Sequence, residues 1–316
     1  MKTLRFTNND VLHAIGLGTW KAKGGEVKKA VKDALYAGYR HIDTAAVYGN
    51  EKDIGEALEE VFSEGDILRE DVFITSKLWN DAHQKAYVIP AIENSLKNLK
   101  LDYLDMYLIH WPVAFKPGIG FPEKPADYFS LKEVPLSETW TEFEQAKNDG
   151  LVKHIGVSNF NITNLKKLIA KASQTPEMNQ VELHPYLQQN ELLEYCASHN
   201  ILVTGYSPLG SGDRSEQMKA NDEPKLMEIP EIVSIAKKHM ASAAQVLIAW
   251  QTKRGTAVIP KSTTKENIID NFKASSIQLD EEDMKTIKNL NKNYRFITGK
   301  FFECPEMGYN SIYDEE

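Results

Sequence analysis

Three short apolar stretches of this chain each end in a residue able to do acid–base chemistry. YRHID ends at Asp43, DVFITSK at Lys77 and LDMYLIH at His110. A fourth candidate, Tyr48, follows the first stretch in AAVYGNE. A tyrosine phenol, with a pKa of about 10, is a poor acid at neutral pH. A buried lysine ammonium beside it would stabilise the phenolate and lower that pKa. A carboxylate next to the lysine would hold its position and charge, and a histidine could hydrogen-bond a substrate oxygen. Together Asp43, Tyr48, Lys77 and His110 suit protonation of a carbonyl oxygen as it becomes an alkoxide, or the reverse. Taken singly, each has a plainer reading as packing, as a solvated cation or as a satisfied hydrogen bonder. The case rests on their sharing one face.

Proton donation alone does not reduce a carbonyl, so a hydride source is needed. The dinucleotide fingerprint is absent: GLGTWK has Gly16 and Gly18 but Lys21 where a third glycine belongs. A nicotinamide cofactor would therefore bind without a Rossmann unit. The segment IPKSTTKENIIDN (259–271) offers a place. Lys261 with Ser262, Thr263 and Thr264 could hold a phosphate through charge, hydroxyls and a helix N-terminus.

The elements that must position these residues alternate along the chain. The three stretches read as buried strands, rich in β-branched and aromatic residues. Counting a first strand at AIGLG gives eight, at about 15–18, 40–44, 72–77, 104–110, 153–158, 178–182, 201–206 and 257–260. Between them lie amphipathic helical patterns, among them EVKKAVKDALYAG, EKDIGEALEEVF, QKAYVIPAIENSLKNL, LSETWTEFEQAKNDG and AAQVLIAWQTKRG. Eight β-then-α units predict an α/β protein with a (β/α)8 TIM barrel, whose active site lies at the C-terminal ends of the strands. LRFTNNDVLHA reads as a small hairpin ahead of the barrel, turned by Asn8, Asn9 and Asp10. Three long loops (111–135, 207–226 and the tail after about Asn291) read as covers on the site. With no linker in view, residues 1–316 read as a single domain.

The bulk properties exclude several classes. A net charge of −8 argues against nucleic acid. No apolar run approaches the roughly 18 residues of a membrane span, and MKTLRFTNND has no apolar core for a signal peptide, so a cytoplasmic location is expected. Cys196 and Cys304 make no disulfide framework, and the eight histidines form no metal-binding spacing.

Nearly end to end, the chain resembles an aldo-keto reductase. The stretches that carry this are GLGTW, GYRHIDTAAVYGNEKDIGEAL, ITSKLWN, LDYLDMYLIHWP, GLVKHIGVSNF, NQVELHPYLQQNELLEYC, GYSPLGSGDR and VIPKS, in order. SPLGSGDR followed by NDEPKLMEIPEI most resembles the aldehyde reductase branch (NADP-dependent alcohol dehydrogenase), with aldose and xylose reductases close behind. The resemblance implies a metal-free TIM barrel, commonly monomeric, that transfers a hydride from NADPH to a carbonyl. It assigns Tyr48 as proton donor, Lys77 and Asp43 as its tuning pair and His110 as the group orienting the carbonyl. It implies that Ser158, Asn159 and Gln180 hold the nicotinamide carboxamide and that Tyr206 stacks on the ring. Thr19, Trp20 and Asp43 would flank the ribose; Ser207, Leu209, Ser211 and Gly212 would line the pyrophosphate. Lys261, Ser262 and Thr263 would meet the 2′-phosphate, and Asp270 with Asn271 the adenine. Trp20, Trp79, Trp111 and Phe115 would wall an apolar substrate pocket, with Tyr48 and His110 at its floor and Phe301, Phe302 and Tyr309 in a lid.

Two departures from the family pattern stand out. Many members carry arginine where this chain has Asn267, a loss that weakens the preference for NADPH and leaves room for NADH, with Lys265 a nearby substitute. The tail KFFECPEMGYNSIYDEE has no arginine, which argues against carboxylate-bearing aldehydes. Reduction of aldehydes is the leading expectation; a sugar as true substrate is the near alternative. A non-catalytic binding protein on the same fold would not need all four of Asp43, Tyr48, Lys77 and His110. An isomerase forming a Schiff base at Lys77 is the remaining competitor.

Overall fold

The structure, a computed structural model, describes residues 2–215, 219–220 and 222–313. The loop 207–226 and the tail, both expected to be covers, are therefore described only in part. A hairpin comes first, with β1 (Thr3–Arg5) antiparallel to β2 (Val11–His13). Its turn is the expected one: Asn9 takes a left-handed φ of 72°, and Asn8 Oδ1 accepts from Asp10 N at 3.0 Å.

Eight parallel strands follow, β3 (Leu17–Gly18), β4 (His41–Asp43), β5 (Phe73–Leu78), β6 (Leu104–Ile109), β7 (Val152–Ser158), β8 (Met178–Glu182), β9 (Leu202–Tyr206) and β10 (Ala257–Val258). Each pairs with the next in sequence. The ring closes through bridges from Ile15 to Val258 and from Gly18 to Lys261. Gly16 N donates to Val258 O at 2.9 Å and Gly18 N to Pro260 O at 3.1 Å across this seam. A Cβ on Gly18 would lie 2.7 Å from Ile259 O, so the seam needs glycine there. The result is the (β/α)8 barrel expected from the alternation.

The helices are α1 (Gly24–Ala37), α2 (Glu51–Glu64), α3 (Lys85–Leu99), α4 (Leu136–Asn148), α5 (Ile162–Ile169), α6 (Asn190–Ser198), α7 (Pro230–Lys238), α8 (Ala243–Lys253), α9 (Lys265–Lys273) and α10 (Glu281–Lys288). Each of the barrel strands is followed by one; α7 and α10 are additions. No described helix is long and apolar enough to cross a membrane.

Side-chain alternation decides what faces the site. On β6, Tyr107 and Ile109 join the cluster packed under the helices, while Met106 and Leu108 face the barrel interior. Phe6 and Leu12 of the hairpin close the N-terminal end of that interior against Phe73, Met106 and Met178. Continuing the inward parity upward places Lys77 above Phe73 and Thr75, Asp43 above His41, and His110 above Leu108. The chemistry therefore sits on an apolar plug, at the opposite end of the barrel from the hairpin.

Candidate active site

Lys77 is fully buried. Its Nζ donates to Asp43 Oδ1 at 2.5 Å and to the carbonyl of Thr44 at 2.7 Å. The other carboxylate oxygen of Asp43 accepts from Gln180 Nε2 at 2.6 Å. Two charges removed from water are thus met by each other and by further polar partners, which is what a buried pair requires. Burial pushes Asp43 up and Lys77 down, and their mutual attraction opposes both shifts.

Tyr48 ends a short 3-10 turn (Ala46–Tyr48) just past β4 and stays half-open to the cavity. Lys77 Nζ lies 5.2 Å from the centre of its ring, and the His110 ring meets it edge-on at 5.8 Å. The expected lowering of the phenol pKa is not what this geometry gives. The ammonium bonds Asp43 and Thr44, while burial and the nearby Asp43 charge hold the Tyr48 phenol well above its ordinary value.

His110 is held well below the ordinary histidine value by burial, with Lys77 and His83 adding to it. The neutral ring packs edge-on to Trp79 at 5.2 Å. Its backbone carbonyl accepts from Asn159 Nδ2 at 2.9 Å. Ser158 Oγ donates to the carbonyl of Gln180 at 2.8 Å, and Tyr206 OH to Asn159 Oδ1 at 2.7 Å. Thr19 Oγ1 donates to the Asp43 carbonyl at 2.9 Å.

These groups open into one cavity of about 1080 Å³. Asp43, Tyr48, His110, Trp20, Trp79, Trp111 and Phe301 line it around the acid–base cluster. Thr19, Ser158, Asn159, Gln180, Tyr206, Ser207, Leu209, Ser211 and Gly212 line it further along. Lys261, Ser262, Thr263, Thr264, Asn267, Asp270 and Asn271 complete it beyond the end of β10. A volume at or above the roughly 300–1,000 Å³ of ordinary ligand pockets leaves room for a large cofactor and a substrate together.

Three sequence expectations need correcting. Phe115 does not line the cavity: it is buried behind the wall, 6.1 Å from Trp79 and 5.3 Å from Phe302 between ring centres. Lys265, the expected substitute for a missing arginine, does not line the cavity; its Nζ lies 3.8 Å from Asp33 Oδ1 on α1. Asp270 lines the cavity but also fastens α8, accepting from Ser242 Oγ at 2.7 Å and Gln245 Nε2 at 2.9 Å. Tyr309 is buried rather than in a lid surface; its hydroxyl donates to the carbonyl of Phe129 at 2.9 Å and accepts from Ala114 N at 3.1 Å, tying tail to loop.

Other wall residues escaped the sequence reading. Phe121 stands exposed at the mouth, 6.0 Å from Phe301 and 5.3 Å from Phe302, on a loop fixed by Trp79 Nε1 donating to Gly120 O at 2.9 Å. Asp213 bridges Lys21 and Lys261, the latter at 3.0 Å, and Lys21 Nζ also donates to Ser211 Oγ at 2.9 Å. This clasp carries the loop after β9 across the cavity to both sides of the barrel seam. A buried carboxylate, Glu182, anchors the start of the tail by accepting from the backbone N–H groups of Phe296 and Ile297, each at 2.7 Å. No local signal announces such pairings.

Comparison with known proteins agrees with this geometry. Residues 14–292 match the model of the aldo/keto reductase family. A relative described as an aldo/keto reductase from Synechocystis sp. is 46% identical, over 100% of this chain and 97% of its own length. Aldo-keto reductase family 1 member A1 of Xenopus tropicalis is 49% identical over 90% of this chain and 86% of that protein. Among solved structures, the aldose reductase from Schistosoma japonicum superposes with a TM-score of 0.89 at 39% identity, covering 100% of this chain and 99% of that one. With a closed barrel, an acid–base cluster at its C-terminal face and this likeness along its length, the chain belongs to the aldo/keto reductase family.

Proposed function

We propose that this oxidoreductase reduces aldehydes to alcohols with NADPH, Tyr48 giving the proton. The observation that carries the reading is the buried Asp43–Lys77 pair beneath Tyr48 and His110, at the floor of a cavity that runs on to Lys261 and Ser262. The cavity fits the cofactor in chemistry as well as in size. Amide and hydroxyl groups of Ser158, Asn159 and Gln180 flank the acid–base cluster, where a carboxamide would be held. Tyr206 offers a ring face beside them. Lys261, Ser262 and Thr263 offer a cation and hydroxyls to a phosphate, beside the start of α9. When bound, NADPH supplies the hydride.

The residues present perform the rest. Neutral His110 orients the carbonyl oxygen by hydrogen bonding. As negative charge develops on that oxygen, Tyr48 transfers its phenolic proton to it. Lys77, held by Asp43, keeps positive charge near the phenolate that forms, and Gln180 keeps Asp43 in place. The aromatic walls exclude water.

The same walls support an apolar or aromatic aldehyde over a sugar. A sugar needs a hydrogen-bond partner for each hydroxyl, and the Trp79 indole N–H is already used on Gly120 O. Among the described residues, Lys21 and Lys261 are the cations lining the cavity; Lys261 lies at the phosphate end beyond β10 and Lys21 is tied to Asp213 and Ser211, so the aromatic end offers a substrate carboxylate no cation.

The test is NADPH oxidation, followed by absorbance, with a reactive aromatic aldehyde, glyceraldehyde and xylose, in wild type and Tyr48→Phe. Turnover of the aromatic aldehyde that collapses in the variant is expected. Equal rates in the two proteins would remove Tyr48 from its role, and a preference for xylose would favour a sugar substrate.

A further inference from the structure

The amide of Asn159 is fully committed within the protein. It is buried, in a left-handed backbone conformation with φ 63°. Its Nδ2 donates to His110 O at 2.9 Å and to Ser158 Oγ at 3.2 Å. Its Oδ1 accepts from Tyr206 OH at 2.7 Å and from Tyr313 OH at 3.0 Å. A carboxamide has two N–H donors and two acceptor positions, so every position is taken.

Three of the partners belong to the barrel: His110 and Ser158 lie at strand ends, and Tyr206 closes β9 in register with Glu182. Tyr313 is different. It comes from the C-terminal tail, outside any helix or strand. The Arg295 guanidinium lies 3.7 Å from the centre of its ring and Trp111 is 6.1 Å away. Gly299 leaves room for it: a Cβ there would stand 3.2 Å from the Tyr313 ring.

We propose that Tyr313 belongs to the cofactor site, its phenol and the carboxamide of a bound nicotinamide sharing one acceptor on Asn159, so that docking of the tail opposes nicotinamide binding. The proposal rests on the NADPH reading above. A carbonyl reduced at Tyr48 and His110 needs the nicotinamide ring beside it, which brings its carboxamide to the neighbouring amides. Gln180 Nε2 is bound to Asp43. To accept from an incoming N–H, Asn159 Oδ1 must release a phenol, and the longer bond from the tail is the one that can yield. The two ligands of that oxygen then weaken one another reciprocally.

Tyr313→Phe keeps the ring under Arg295 and beside Trp111 and removes only the hydroxyl. Binding is measured by quenching of protein fluorescence with NADPH, and with adenosine 2′,5′-bisphosphate, which carries the phosphate-bearing end but no nicotinamide. The expected result is NADPH binding tighter by about threefold to tenfold, the worth of one net hydrogen bond, with bisphosphate binding unchanged. In an Asn159→Ala background the same substitution has no effect, because the contested acceptor is gone. Equal or weaker NADPH binding overturns the proposal, as does a gain that extends to the bisphosphate or survives in Asn159→Ala. Wild type that binds neither ligand overturns the NADPH reading and this proposal with it, and is seen before any variant is made.

Discussion

Tyr48 and His110 are displaced in opposite directions by the same burial. The phenol is pushed well up and the imidazole well down, so across the neutral range each holds a single protonation state. The rate of reduction should therefore be flat through neutrality and fall only on the alkaline side, as Tyr48 loses its proton. Oxidation of the alcohol needs the deprotonated phenol and should rise there instead. Profiles of kcat against pH in both directions check this; a reduction rate that declines around neutrality would mean another group donates. Tyr48→Phe removes the proton and leaves the ring packed on His110. It should lower kcat by about 10²- to 10⁴-fold, the usual worth of general acid catalysis, while NADPH affinity measured by fluorescence is retained. At the other end of the cavity, Asn267 offers no cation, and Lys265 lies outside the lining. Asn267→Arg adds a planar cation beside Lys261 and should raise the preference for NADPH over NADH by about tenfold, a charged hydrogen bond's worth, read as the ratio of kcat/KM for the two cofactors.

Among the elements, the loop after β9 is joined to the seam by one carboxylate. Asp213 lies half-exposed between Lys21 and Lys261. Exposed ion pairs are worth little each, so Asp213→Asn should quicken NADPH release by only about twofold to fivefold, and the difference should shrink in high salt. Stopped-flow displacement of NADPH measures it; unchanged release would leave the clasp without a role in retention. Legibility divides along the same lines. Strands β4, β5 and β6 were readable because buried parallel strands are near-continuous apolar runs, and a polar residue at the end of such a run stands out. That is how Asp43, Lys77 and His110 came into view together. Helix α10 was not readable: EEDMKTIK buries only Ile287 among its apolar residues and is set by a capping box between Asp280 and Asp283. The clasp was not readable either, because Lys21 and Asp213 are 192 residues apart. Phe115 was misplaced because an aromatic residue beside a site looks the same in sequence whether it forms the wall or supports it. Of the residues expected to hold a cofactor, only Lys261, Ser262, Thr263 and Thr264 were suggested by their own sequence, as a cation and hydroxyls ahead of a helix; the rest were reached through family resemblance, since lone serines and asparagines in loops carry no pattern.

At the scale of the whole molecule, the barrel keeps uncharged histidines where water cannot reach. His41 lies under the hairpin, its Nδ1 3.2 Å from His13 O, and burial brings it down to about 3. His83 is brought down to about 3 by burial as well, and among the described residues neither ring nitrogen finds a partner. In the unfolded chain both titrate at about 6.5. Between that value and their folded values the unfolded state binds protons that the folded state refuses, so stability rises with pH in this window and is lost as pH falls through it. Ordinary carboxylates titrate at about 3.9–4.3 when unfolded and contribute little above about pH 5. Asp43, pushed up by burial, works in the opposite sense, but equally in any variant that leaves it alone. The slope of unfolding free energy between about pH 6.5 and 5 therefore reports the buried histidines. His83→Leu removes one of them without breaking a hydrogen bond within the described structure. Urea unfolding of wild type should show stability falling across this window, and His83→Leu should flatten the slope by about one proton. The variant should also be no less stable than wild type at the acidic end, because an apolar side chain replaces one that resists protonation. A wild-type curve that is level from pH 6.5 to 5, or a slope untouched by the substitution, would show that His83 takes up its proton within the fold.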